Sequence, residues 1–171
     1  MSLLFKSLIL ATSLMGCAEV ALAQHYRQTG GLNTWTTNAV SRVNSADGEL
    51  RIVRAAKQDG FDRVVFEFGD DVPSFLVSYP NGKTYDLHTQ SELKISGTAL
   101  IEVTFHFNYG EHIEIYQGFP KGRLDLPALL EIKNTDFSEG VMTFALGLPA
   151  RHTFRVLTFS NPARLVVDIK H

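Results

Sequence analysis

Apolar residues recur at every second position through most of the chain from Gly48 onward, which is the spacing of strands that bury one face. The clearest run is 99–107, with the sequence ALIEVTFHF. In the first run of the region, Leu50 and Ile52 are expected to share the buried face. Similar runs predict strands at 50–54, 63–68, 75–79, 85–88, 93–95, 113–116, 131–136, 142–148, 154–160 and 165–169.

Turn-forming residues separate these runs about every ten positions. The cluster at 80–82 (PNG) suits a hairpin, and Asn161-Pro162 divides the last two runs. The stretch 118–130, with two prolines and two glycines, is predicted to be a loop with one helical turn. Many short strands without a long helical pattern indicate an all-β domain, either an antiparallel sandwich or a barrel.

Charged residues occupy the predicted outward face of the last strand. In 165–169 the apolar residues point inward, so Arg164 and Asp168 point outward. We expect these two residues to pair across strands with Arg63 or Glu67 if the strands are neighbours. Such pairs would tie strands together rather than contact a ligand.

The first 23 residues have the three parts of a secretory signal peptide. Lys6 supplies a positive charge, residues 7–16 are apolar or small, and 21–23 (ALA) form a cleavage site. Cys17 offers a second interpretation, because the preceding LMG resembles a bacterial lipobox in which the cysteine is lipidated. The segment is therefore predicted to direct export, with cleavage after residue 23 favoured over lipidation at Cys17.

Cysteine content and charge narrow the choice of partners. Cys17 is the only cysteine, so an exported form has no disulfide framework. The net charge is −2 for 171 residues, which lacks the basic footprint of a nucleic-acid binder. Hydrophobic residues make up 44% of the chain and include 12 phenylalanines, enough for one well-packed core.

Three segments follow from these patterns. Residues 1–23 are the signal peptide, 24–46 a polar tether, and 47–171 one β-domain. The tether is expected to close with a short strand near 35–43, and Trp35 is expected to pack on the flank of the domain.

The chain shows no arrangement of residues that predicts catalysis. No nucleophile motif and no glycine-rich phosphate loop is present in the sequence. His106 and His112 flank a turn and Glu114 shares a face with His112, but a metal site needs three convergent ligands. We therefore predict a protein that is not an enzyme and that binds no metal and no cofactor.

Aromatic and basic residues of the second half are candidates for ligand binding. Tyr109, Tyr116 and Phe119 lie among glycines and polar groups, where aromatic faces can pack on sugar rings. Arg151 and Arg155 can meet carboxylates through paired hydrogen bonds. Each of these residues also suits ordinary packing within strands.

Three groups of segments resemble the AMIN-like domain of bacterial envelope proteins. They are 61–68, then 126–132 with 137–141 and 147–148, then 154–156 with 161–169, and the resemblance covers 49–171. It implies an antiparallel β-sandwich that is not an enzyme and that binds peptidoglycan or an envelope protein partner. It also implies a location in the bacterial periplasm or cell envelope, with membrane contact only through the leader or a lipid on Cys17.

Two other functions remain open at this point. One is a periplasmic carrier that holds a small ligand inside a barrel-like fold. The other is an interaction subunit that adds a strand to a partner through an exposed sheet edge.

Overall fold

The computed structural model describes residues 32–46, 48–107 and 119–171, and within these ranges the regular structure is entirely β. The strands are β1 (Val40–Arg42), β2 (Leu50–Lys57), β3 (Phe61–Phe68), β4 (Ser74–Ser78), β5 (Tyr85–Asp86), β6 (Ser91–Glu92), β7 (Ala99–His106), β8 (Glu131–Ser138), β9 (Val141–Leu148), β10 (Phe154–Ser160) and β11 (Ala163–Lys170). In this part of the chain, no helix is long and apolar enough to cross a membrane.

Two antiparallel sheets form a β-sandwich. The five-stranded sheet has the order β1-β4-β7-β9-β8, and the four-stranded sheet has the order β10-β11-β3-β2. A separate hairpin of β5 and β6 lies beside β8, where Leu87 N donates to Thr135 O. The predicted all-β sandwich is therefore confirmed.

Phenylalanine rings from both sheets fill the space between the layers. The centroid of Phe66 on β3 lies 5.2 Å from that of Phe105 on β7 and 5.1 Å from that of Phe144 on β9. All three side chains are fully buried. Because this interior is a packed sandwich core, the fold does not provide the barrel that the carrier hypothesis requires.

The strand pattern matches most of the predicted burial, with one exception in β2. A β-bulge between Leu50 and Ile52 shifts the register against β3. The extra residue reverses the alternation, so that Val53 is buried and Ile52 is half-buried on the outer side. The prediction that Leu50 and Ile52 share the buried face is therefore wrong for Ile52.

The loop before β8 contains no helical turn in its described part, 119–130. Leu124 N donates to Leu130 O, and the buried carboxylate of Asp62 accepts hydrogen bonds from Ala128 N and Leu129 N. These bonds hold the loop in an irregular conformation, which explains why the predicted helical turn does not form.

Several predictions concern residues outside the described ranges. They are the signal peptide, lipidation of Cys17, the strand at 113–116 and the environment of His112, which was considered as a metal ligand and not predicted to be one. The short strand expected near 35–43 is present as β1, which pairs with β4 and buries Val40 completely.

Candidate functional site

The three predicted binding residues that the structure describes, Phe119, Arg151 and Arg155, do not converge on one place. Tyr109 and Tyr116 lie outside the described residues. The Phe119 ring is half-buried and packs on the buried Phe144, with 6.1 Å between ring centroids, so it contributes to the core. Arg151 and Arg155 lie in two different environments, and each forms part of a distinct surface feature.

Arg151 lies at the end of the five-stranded sheet. Strands β4 and β9 both pair antiparallel with β7, so they run in the same direction and the residues after them meet at one edge. This arrangement brings the exposed Arg151 over the ring of Tyr79, with the guanidinium carbon 3.9 Å from the ring centroid. A guanidinium stacked in this way keeps its in-plane N–H donors available.

The hydroxyl of Tyr79 fixes the backbone next to Arg151. It donates a hydrogen bond to His152 O at 2.6 Å and accepts one from His152 N at 3.0 Å. Burial raises the pKa of the Tyr79 hydroxyl, while the hydrogen bond with His152 and the charge of Arg151 oppose that rise. The ring is therefore a rigid support for the arginine.

A cleft of about 590 Å³ opens beside this pair. Its walls come from the turn after β4, the segment between β6 and β7, and the residues after β9. Leu93, Ile95 and Leu100 give it an apolar lining, and Arg151 adds a positive charge. Within the described part of the chain, Arg151 makes no ion pair with a carboxylate.

Two glycines allow the wall of the cleft to lie close to β9. Gly97 has a φ of +110°, and a Cβ atom there would lie 2.0 Å from Leu148 O. A Cβ atom at Gly147 would lie 2.3 Å from Ser96 O. Side chains at either position would push the 93–98 segment away from the sheet and change the shape of the cleft.

Glu131 anchors the same segment from β8. Its carboxylate accepts a hydrogen bond from Ser96 N at 2.8 Å and lies 3.4 Å from Lys133 Nζ. Burial acts to raise the pKa of Glu131, but the hydrogen bonds and the charge of Lys133 outweigh it, so the pKa lies below its usual value. The cleft wall is therefore held by an ionised carboxylate.

Arg155 belongs to a charged group on the outer face of the four-stranded sheet. Asp168 is fully buried there and accepts hydrogen bonds from Arg155 Nε at 2.8 Å, Arg63 Nε at 2.7 Å and Arg63 Nη2 at 2.9 Å. The hydrogen bond to Asp168 raises the pKa of the Arg63 guanidinium, against the effect of partial burial. The predicted pairing of Asp168 with Arg63 is confirmed.

Arg164 differs from its prediction. Its Cα is opposite that of Glu67, but Glu67 accepts a hydrogen bond from Arg54 Nη1 at 3.0 Å instead. Arg164 stacks on the ring of Phe159 at 4.9 Å from the centroid. The edge strand β2 thus provides the partner that the sequence had assigned to β11.

Aromatic rings surround the Asp168 group. The Arg155 guanidinium carbon lies 4.7 Å from the centroid of the Trp35 ring and 5.2 Å from that of Phe61, which itself packs edge-on against Trp35. Trp35 therefore packs on the flank of the domain as predicted. Among the described residues, no group of three potential metal ligands lies close together.

Sequence reasoning missed Tyr79 and the apolar lining of the cleft. Tyr79 was expected only to end a strand. A strand was expected at 93–95, but this prediction is wrong, because β6 ends at Glu92 and 93–95 are irregular. The signal that could have placed Tyr79 beside Arg151 is the parallel direction of β4 and β9, which requires the strand order and is not readable from periodicity.

Comparison with known proteins gives one match. The family model described as AMIN-like domain matches residues 48–171, which is most of the chain and nearly all of the described sandwich. No curated protein and no solved structure matches the chain. The chain therefore belongs to the AMIN-like domain family, whose domains occur in proteins of the bacterial cell envelope.

Proposed function

We propose that this domain is a non-catalytic module that binds peptidoglycan through the cleft beside Arg151. The observation that carries the proposal is the guanidinium of Arg151, stacked on Tyr79 at the mouth of a cleft with an apolar lining. Family membership supports a binding role in the cell envelope.

The chemistry of the cleft fits a peptide stem better than a sugar ring. Peptidoglycan stems carry free carboxylates beside alanine methyl groups, whereas the sugars carry hydroxyl and acetamido groups and, where a stem is attached, no free carboxylate. Arg151 offers parallel N–H donors to a carboxylate, and Leu93 and Ile95 offer apolar contact to a methyl group. The face of Tyr79 that a sugar ring would need is covered by Arg151.

The test is retention of the protein on purified peptidoglycan sacculi, compared with an unrelated β-sandwich of similar size. Arg151→Gln is expected to weaken retention at least about tenfold, because it removes a charged pair of donors. Arg123→Gln is the matched control, since Arg123 is an exposed arginine in the loop before β8. Tyr79→Phe keeps the ring but removes the bonds to His152, and we expect a smaller loss.

Two results would reject this proposal. One is no retention of the wild-type protein above the control sandwich, which would leave an envelope protein as the partner class. The other is equal retention of Arg151→Gln and Arg123→Gln, which would show that the wall is bound elsewhere.

A further inference from the structure

The outer face of the four-stranded sheet carries an excess of positive charge, although the whole chain has a net charge of −2. We call this surface the basic face, and it has a net charge of +3. Its charged residues are the basic Arg54, Arg63, Arg155, Arg164 and Lys170 and the acidic Glu67 and Asp168.

Strand register places these charges in rows across the sheet. One row contains Arg63, Asp168 and Arg155 as direct neighbours on β3, β11 and β10. A second row, four residues along the strands, contains Glu67 and Arg164. The two rows are separated by roughly 13 Å, so the charge is spread over the face rather than concentrated in a pocket.

The space between these rows is apolar and shielded from water. Val65 and Val166 point outward from the sheet, yet only 7% and 2% of their surface is exposed. The long side chains around them therefore cover the middle of the face. The result is a broad surface in which charged groups surround an apolar centre.

Aromatic rings are stacked with cations at both ends of the basic face. Trp35 lies beside Arg155 at one end, with Lys170 Nζ 6.0 Å from its ring centroid. Phe159 lies beside Arg164 at the other end and is 42% exposed. Proteins that contact membrane–water interfaces commonly place aromatic rings beside basic side chains.

We infer that the basic face binds the surface of a membrane containing anionic lipids. Its positive charge complements lipid phosphates, its breadth suits a flat surface, and its rings suit the headgroup region. A pocket of about 360 Å³ lies at the Phe159 end of the face, where Phe159 lies beside Arg42 and Asp71, and the charged residues that define the face are not among those that line it. The inference departs from the sequence-based expectation that membrane contact occurs only through the leader or Cys17.

Trp35 makes the test specific to this face, because it is the only tryptophan in the chain. The exported protein is mixed with vesicles of brominated phosphatidylglycerol or brominated phosphatidylcholine, and Trp35 emission is measured. Bromine quenches a nearby indole, so quenching reports contact of this face even if another part of the protein is anchored. We expect quenching with the anionic lipid, little with the neutral lipid, and loss of quenching as salt rises from about 0.1 M to about 1 M.

Charge variants separate the basic face from general attraction. The double variant Arg164→Gln/Lys170→Gln leaves the buried Asp168 group intact and is expected to weaken vesicle binding about 25-fold, about fivefold for each cation. The control Lys121→Gln/Arg123→Gln makes the same change in net charge on exposed residues of the loop before β8. It should bind vesicles about as well as the wild-type protein, and both double variants should still be retained by sacculi.

Three outcomes would overturn the inference. The first is no quenching of wild-type Trp35 by anionic brominated vesicles. The second is an equal loss of binding in the two double variants. The third is a change in Trp35 emission on addition of soluble polyphosphate but not of vesicles, which would indicate that the face binds a soluble polyanion. Arg151→Gln is expected to leave Trp35 quenching unchanged. A loss of peptidoglycan binding and a loss of membrane binding can therefore be told apart.

Discussion

Replacement of Asp168 by asparagine tests whether the buried carboxylate holds the outer face of the four-stranded sheet. The carboxylate is fully buried and accepts three hydrogen bonds from two guanidiniums. Asparagine has nearly the same shape but no charge, and its NH₂ group faces donors instead of accepting from them. Asp168 Oδ2 accepts two of the three hydrogen bonds, so an amide oxygen in its place can keep two, while the NH₂ group in place of Oδ1 faces Arg63 Nε.

The expected loss comes from the one bond that disappears and from the two remaining bonds, which lose their charged acceptor. The lost bond contributes about 1.5 kcal/mol and the two weakened bonds about 1.5 kcal/mol together, so the free energy of unfolding should fall by about 3 kcal/mol. Arg63 and Arg155 side chains are 32% and 24% exposed, so both can turn partly toward water. This keeps the loss at the lower end of the range for breaking a buried ion pair.

Urea denaturation followed by circular dichroism measures the effect as a shift in midpoint at constant slope. The control is Asp125→Asn, which removes a carboxylate that is 73% exposed and paired with Arg123. We expect less than about 0.5 kcal/mol for the control. A loss below about 1 kcal/mol for Asp168→Asn would refute the view that this carboxylate is buried and triply bonded.

Three further predictions concern the cleft and the five-stranded sheet. Gly97→Ala should lower thermal stability at least twice as much as Gly82→Ala, since both glycines have a φ near +110° but only a Cβ at Gly97 would meet Leu148 O. Equal losses in the two variants would contradict the close approach of Gly97 to Leu148. Glu131 has a lowered pKa in the folded protein, so its contribution to stability is present above about pH 4.3 and is lost as the pH falls through the lower folded-state pKa. Glu131→Gln should therefore make the melting temperature vary less between about pH 5 and pH 3. An unchanged pH profile would count against the bond to Ser96. Burial lowers the pKa of His106, so the unfolded chain binds a proton more readily than the folded protein and stability should fall as the pH drops below about 6.5. His106→Gln should reduce that fall. An identical dependence of stability on pH in both proteins would disprove the contribution of His106.

Much of the sandwich could be predicted because alternation reports burial directly. β7, β9 and β11 have their apolar residues where the two-residue period places them. The period fails at β2, because a bulge changes the alternation without changing the residue types. The helical turn expected in 118–130 failed for a different reason, since Asp62 holds the loop from β3, far away in the sequence.

The candidate site was less accessible to sequence reasoning. Arg151 was a predicted ligand group, but its neighbours come from the ends of other strands, and the strand order decides which ends meet. Arg155 has the same residue type and lies four positions away, yet it is paired with the buried Asp168. Residue type predicted an anion contact for both arginines, whereas only the fold shows that Arg155 is paired with Asp168 while Arg151 has no carboxylate partner among the described residues.

The bulge in β2 has a consequence for how the protein behaves at high concentration. β2 is an edge strand of its sheet, and an open edge invites strands of other molecules to continue the ladder. The bulge between Leu50 and Ile52 interrupts the regular row of backbone donors and acceptors, and the exposed Arg51, Arg54 and Lys57 place charged side chains along it. We expect two copies that meet at this edge to lose register, which opposes growth into fibres at high concentration.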